Sequence, residues 1–350
     1  MICYQPVDDS PPTSGSTPAL RRRRLLLLGV AAGLPLAAWQ WQPAAPVQPM
    51  RWQGTAMGAP ASLVLYHQDA SRARTALAAT LAELARLEAM FSLYRADSWL
   101  SRLNAAGHVD AAPKEFTKVL QAALDMAAKS QGVFDPTVQP LWQLYFEHFV
   151  VQGASVAPPP ARLAQAMARV GWRGVQVQGH RVALTRPGMG ITLNGIAQGF
   201  ITDCCTDVLR RHGFEHMLVD MGEPRALAAK PDGSAWRIGL ADPREPGRAL
   251  HTVQVLDRAV ATSGGYGTQL DAAGRVTHLI NPFTGRTAPV AESVTVIAPT
   301  ATQADALSTA LALLPAAGVA ARQALLNLHP GCSAVCIGAD GQVREMEASV

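Results

Sequence analysis

A chain of 350 residues with 49% apolar and 16% charged residues is long enough to bury a large core and lacks the composition of a disordered chain. Its net charge of +4 falls to +2 once the N-terminal leader, which carries four arginines and two aspartates, is set aside. That balance excludes the basic footprint expected of a nucleic-acid-binding protein.

In the leader, Arg21 to Arg24 precede an apolar run from Leu25 to Ala38, and a Pro/Ala/Gln-rich stretch follows. The run is short for a bilayer span, and consecutive arginines ahead of it fit twin-arginine export. The order predicts a signal peptide over 1–38, a spacer over 39–50 and one domain over 51–350, with an uncleaved membrane anchor as the competing reading. Cys3 is badly placed for lipid attachment, so a soluble periplasmic protein is expected. Cys204 with Cys205, and Cys332 with Cys336, lack zinc spacing and read as buried thiols. His212 and His216 are separated by Gly213, which argues against a shared metal.

Past the spacer, Ser62 to Tyr66 reads as a strand. Leu77, Leu81, Leu84, Leu87 and Phe91 then recur at helical spacing, predicting a helix over Ala70 to Met90. The stretch around Asn104 and Gly107 reads as a loop, Lys114 to Lys129 as a helix, and Ala161 to Val170 as a short helix. Val175 to Val177 and Arg181 to Leu184 form a hairpin pattern, and a helix is expected from Gly199 to His212. Strands are expected at His216–Met221, Trp236–Leu240, His251–Leu256, Val276–Asn281 and Ser293–Ala298. Helices follow at Gln303–Leu314 and Val319–Leu328, then a hairpin of Ser333–Ile337 with Gln342–Met346. Hairpins without strict strand–helix alternation predict an α+β fold of mixed, largely antiparallel sheets packed with helices.

Three stretches could carry chemistry. Gly195 and Gly199 bracket Ile196-Ala197-Gln198 at a helix entry, which either admits a phosphate to free backbone amides or is only a tight turn. Asp305 and Thr309 share one helix face away from Leu307, Leu311 and Leu314, an oxygen pair suited to Mg2+. Thr302 and Asp305 fit a capping pattern equally well. His278 precedes a turn set by Pro282 and Gly285, where it can act as acid or base or serve as a structural hydrogen-bonder. Ala261 to Gly267 reads as a loop of close backbone approach, and its glycines do not follow the dinucleotide fingerprint.

Taken in order, Met57-Gly58, Phe91-Ser-Leu-Tyr94 with Asp97-Ser98, Phe134-Asp-Pro-Thr137, Leu193 to Phe200 through Asp203, Ala261-Thr-Ser-Gly264, His278 to Gly285, Ser293 to Ala298 and Ala304 to Ala310 resemble the ApbE family of FAD:protein FMN transferases. The twin-arginine leader, Leu193 to Phe200 and Leu218 to Glu223 resemble its NosX-like branch. The resemblance implies an ApbE-like flavin transferase fold and a bacterial envelope enzyme. Such an enzyme takes FAD and Mg2+, moves FMN onto a threonine hydroxyl of a partner flavoprotein and releases AMP. It implies metal ligation by the Gly195 carbonyl, the Asp305 carboxylate and the Thr309 hydroxyl. FAD would be held by Met57, Tyr94, Asp135, Pro136, Thr137, Thr192, Gln198 and the Ile280 backbone, with His278 as base and Asp305 as the second catalytic residue. A membrane NosR-like protein is the implied acceptor. Thr192, Asn194 and Gln198 depart from the commoner family residues, an Asp, a small residue and a Lys or Glu. Those departures keep a non-catalytic flavin-binding accessory protein open as an alternative. The metal site alone would equally serve an FAD pyrophosphatase.

Overall fold

In the computed structural model, residues 49–288, 292–315 and 318–349 are described. The signal peptide and nearly all of the spacer lie outside the described residues. β1 (Pro49–Ala56) and β2 (Ala59–Tyr66) form a hairpin closed by Met57 and Gly58. β1 therefore starts two residues inside the stretch assigned to the spacer. α1 (Ala70–Phe91) is capped by Asp69, whose carboxylate accepts from the Ser71 and Arg72 amides. α2 (Trp99–Ala106) stands where a loop was expected. Ser98 caps its start, and Gly107 closes it at a φ of 74° that favours glycine.

β3 (His108–Val109) and α3 (Lys114–Lys129) follow, then α4 (Gln139–Tyr145), a π-helical turn at Phe146–Val151, and α5 (Pro160–Met167). β4 (Val175–Gln178) and β5 (Arg181–Leu184) make the expected hairpin, and α6 (Ala197–Arg211) the expected helix. Next come β6 (Met217–Asp220), β7 (Pro224–Leu227), β8 (Trp236–Asp242), β9 (Glu245–Val255) and β10 (Ala259–Gly264). β10 occupies most of the stretch read as a close-approach loop. Val276–Asn281, read as a strand, contributes only isolated bridges, at Thr277 and Ile280. β11 (Ser293–Ala298), α7 (Ala301–Leu313), α8 (Val319–Asn327), β12 (Ser333–Ile337) and β13 (Val343–Glu347) complete the chain.

The main sheet has eight strands in the order β1-β2-β6-β7-β10-β11-β12-β13, and its registered pairs are antiparallel. The period-two alternation of its inner strands decides what lies on each face. Met217 and Val219, Ala259 and Ala261, and Val294 and Val296 join the core under α1, α3, α6 and α7. Leu218, Val260 and Ile297 point the other way, onto Trp236, Ile238, Leu240 and Val255 of the β8–β9 ribbon. Both faces are thus covered. A third cluster, built on Leu141, Leu144, Tyr145 and Phe149, packs beneath Leu270 and Ile280. Cys205, Cys332 and Cys336 are buried free thiols and Cys204 is partly buried, as expected. Among the described residues no helix is long and apolar enough to cross a membrane.

α6 and α7 cross closely because of one glycine. A Cβ on Gly199 would sit 2.2 Å from the Ala301 carbonyl oxygen and 2.8 Å from the Asp305 Cβ. Backbone cannot give way as a flexible side chain does. We expect Gly199→Ala to force the two helices apart at a cost of about 1–3 kcal/mol. Thermal unfolding should show a Tm lowered by at least about 2 °C.

Candidate functional site

The site is assembled where α6 starts against α7. Asp203, in the second turn of α6, accepts the Ala301 amide (2.9 Å) and the Arg225 guanidinium on Oδ1, and the Thr302 amide (2.9 Å) and hydroxyl (2.5 Å) on Oδ2. It thereby anchors the start of α7, whose own cap is Thr300, accepting from the Gln303 amide. The Thr302–Asp305 capping box does not form. Asp305 is instead buried and accepts the Gly199 amide through Oδ2 at 3.0 Å. That amide is the one that would close a helical turn on the Gly195 carbonyl, so the bond leaves the carbonyl oxygen for another partner. Gly195 lies against Thr309: a Cβ there would be 3.0 Å from Thr309 Oγ1. Ser263 of β10 in turn bonds Thr309 Oγ1 (3.2 Å) and Ser308 Oγ (2.8 Å). Gly195, Asp305 and Thr309 are therefore brought together. The two glycines have different causes, Gly199 for helix packing and Gly195 for approach to Thr309.

The residues assigned to FAD fall into two kinds. Met57, partly buried against the main core, and Tyr94 are on turns. Met57 holds a left-handed backbone (φ 49°) that a long side chain rarely adopts, and the Glu88 carboxylate pins its amide at 2.5 Å. Tyr94 is 82% exposed on the α1–α2 loop, where the Ser92 hydroxyl accepts its amide. Asp135, Pro136 and Thr137 face inward. Thr137 Oγ1 donates to Asp135 Oδ1 (2.5 Å) and accepts the Gly171 amide (2.7 Å), and Asp135 Oδ2 accepts the Trp172 amide (3.0 Å). Their side chains are committed to the turn, and the Pro136 carbonyl accepts the Thr192 amide at 2.8 Å. Only backbone or shape is left for a ligand at these three. Thr192 is buried, with its hydroxyl accepting the Asn194 amide. Gln198 lies on Gly222, where an added Cβ would be 2.3 Å from its Nε2.

His278 is half-buried in the loop that leaves β10, not at a strand end. Its Nδ1 faces the Thr268 carbonyl at 3.2 Å. A carbonyl only accepts, so Nδ1 carries the proton and Nε2 keeps a free lone pair. Burial lowers its pKa, which favours the neutral base at pH 7. Ile280 is buried in the third cluster, and Tyr145 Oη donates to the Gly285 carbonyl (2.6 Å), mooring the turn after it. Sequence reasoning missed Asn104 and Glu223. Asn104 clamps the Ile191 amide and carbonyl (2.6 and 2.8 Å), and Glu223, buried on the β6–β7 turn, follows the Gly222 that packs on Gln198. Both act across long sequence separations that no local pattern reveals. An open groove of about 540 Å³ along α3 and the β4–β5 hairpin contains none of the predicted residues.

The ApbE family profile matches residues 57–336. The chain belongs to the ApbE family. It is 33% identical over 305 residues to the FAD:protein FMN transferase of Treponema pallidum, covering 79% of this chain and 81% of that one. To the Salmonella typhimurium FAD:protein FMN transferase it is 30% identical over 276 residues, or 75% and 77% of the two chains. Its fold superposes on the flavin transferase ApbE from Vibrio cholerae with a TM-score of 0.71 at 27% identity, covering 87% of this chain and 98% of that one. For the ApbE protein of Thermotoga maritima the TM-score is 0.74 at 28% identity, covering 86% and 97%.

In this ApbE-family chain the acids of the site are held in a poor environment for charge. Burial pushes Asp305 up to about 7 and Asp220 up to about 6, and raises Glu223 well above the usual carboxylate range, with Asp305 and Asp220 adding repulsion. Among the described residues no set of three or more His, Cys, Asp or Glu side chains forms a metal cage. Any cation here must draw on the Gly195 carbonyl and the Thr309 hydroxyl as well as carboxylate, a hard-oxygen set that suits Mg2+.

A carboxylate whose pKa is raised on folding keeps a proton that the unfolded chain has released above about pH 4. Its contribution to stability therefore falls as pH climbs from about 4 through 7. Asp305→Asn keeps an oxygen for the Gly199 amide without the charge. In metal-chelated protein we expect equal Tm values for the two proteins near pH 4 and a higher Tm for the variant at pH 8, by at least about 2 °C, measured by calorimetry across that range.

Proposed function

We infer that this chain is an FAD:protein FMN transferase, that Mg2+ assists it, and that the accepting group is a threonine hydroxyl. Family membership and the named relatives support FMN transfer from FAD to a protein. The observation that carries the metal is the Gly199–Asp305 hydrogen bond, which leaves the carbonyl of Gly195, a residue packed against Thr309, without its helical partner. Bound there, a divalent cation would neutralise charge on the diphosphate oxygens of FAD.

The chain's own residues supply the rest. Tyr94 offers an exposed ring, and Met57 the uncovered part of its thioether, to a flat ring. The His278 Nε2 lone pair takes the proton of the acceptor hydroxyl, a contribution worth about 10²–10⁴-fold in rate. The hydroxyl oxygen then bonds to the FMN phosphorus, the bond from that phosphorus to the bridging oxygen breaks, and AMP leaves. The arginines and apolar run at 21–38 motivate export to the periplasm, and the NosX-like features motivate a membrane NosR-like acceptor.

The test is incubation of the purified protein with FAD and Mg2+, with and without a threonine-bearing acceptor domain, following AMP and in-gel flavin fluorescence. Acceptor-dependent labelling is expected. FMN release without acceptor would mark a pyrophosphatase, and FAD binding without either product a carrier. In the same assay Asp305→Asn should reduce transfer at least about 100-fold, since it removes the only ligand charge among the three. His278→Ala should lower transfer about 10²–10⁴-fold with FAD binding retained. Loss of FAD binding in that variant would make the histidine a positional contact.

A further inference from the structure

Glu223 has no role in the chemistry described so far, yet the fold buries it beside the centre of the site. It is 4% exposed, and its Oε2 is fully buried without a hydrogen-bond partner. An uncompensated carboxylate in such a place is costly. The groups around it deepen the cost. The preceding Gly222 packs on Gln198, next to the Gly199 whose amide Asp305 accepts, so Glu223 lies one layer from that carboxylate; Asp305 and Asp220 repel its charge and the Thr262 amide of β10 stabilises it. Among the described residues neither Glu223 nor Asp305 makes an ion pair.

The local backbone is shaped to hold this arrangement. Gly222, immediately before Glu223, has a φ of 114°, and Gln198 packs against it so closely that a Cβ would collide. Asp220 Oδ1 accepts the Gly222 amide at 2.9 Å, fixing the turn from the other side. A glutamate that served only to fill space would be replaced at less cost by a neutral residue of the same shape. An orphaned carboxylate oxygen beside a second buried carboxylate calls for a positive charge, or a water polarised by one.

We propose that Glu223 is a positioning residue of the cation site, its carboxylate holding a water of the Mg2+ bound at Asp305. The proposal rests on the reading of Gly195, Asp305 and Thr309 as the ligands. Mg2+ dehydrates reluctantly and keeps several waters. Groups that hold such outer ligands typically change metal affinity 10–100-fold. Glu223 lies between β6 and β7, with the Thr262 amide of β10 bonded to it. Asp220, already bonded to its own turn, is the natural control for a general effect of buried charge.

The test uses Mn2+, titrated into the full chain with FAD present and acceptor absent, with free and bound metal read by EPR. Wild type should bind Mn2+, and Asp305→Asn should lose it. Glu223→Gln, folded by circular dichroism, should bind about 10–100-fold more weakly, with Asp220→Asn close to wild type. Should Glu223→Gln fail to fold, Glu223→Asp, which withdraws the same charge by one methylene, is expected to weaken binding in the same direction. Wild-type affinity in the Glu223 variant that folds would overturn the proposal while leaving the ligand assignment standing, as would equal weakening by Asp220→Asn. Mn2+ binding that ignores Asp305 would overturn the ligand assignment and the proposal with it.

Discussion

The hydrogen bond from the Gly199 amide to Asp305 is the contact on which the arrangement depends. It joins the first turn of one helix to the first turns of another, and it decides the fate of two polar groups at once. The amide is satisfied by a side chain, so the Gly195 carbonyl keeps its acceptor capacity. The carboxylate gains one donor and is fixed beside Thr309. Gly199 makes the approach sterically possible, and Asp203 sets the start of α7 so that Asp305 arrives at the right height. Three residues on α6 and α7 thus produce a geometry that none could impose alone.

Around that contact the protein gathers negative charge where water is scarce. Asp220, Glu223 and Asp305 all have their pKa values raised by burial. A fold maintains such an arrangement at a cost to its own stability, and perturbed acids of this kind concentrate at functional sites. Burial raises Asp135 as well, in the turn that accepts the Trp172 amide. Asp203 pairs with Arg225, and Asp242 with Arg244, whose guanidinium holds its carboxyl down at about 2. The contrast between acids paired with arginine and the orphaned Glu223 is physical support for ligand chemistry at this site.

Much of the fold was legible because its signals are local. The leucine spacing of α1, the start and stop of α3 and the Gly213 end of α6 were all written in short windows. The failures have identifiable reasons. α2 is only eight residues long, and Asn104 and Gly107 looked like loop residues although the glycine is its terminator. β10 is made of small residues, so Ala261-Thr-Ser-Gly264 read as a close-approach loop, while its register with β11 is unbroken. Val276–Asn281 misled in the opposite way, because Leu279 and Ile280 are buried without joining a sheet, Ile280 by the α4–α5 helices. In the site, spacing alone placed Asp305 and Thr309 on one helix face. Their meeting with Gly195, and the presence of Glu223, depend on contacts across about 80 to 115 residues that no short window contains.

Met57 occupies a backbone conformation better suited to glycine or asparagine, in a tight hairpin turn, and is tethered there by Glu88. Its thioether is partly buried against the main core, so the strained corner is also a packed one. A glycine there would relieve the backbone at a φ of 49° but leave a gap beside the core, so the two effects oppose one another.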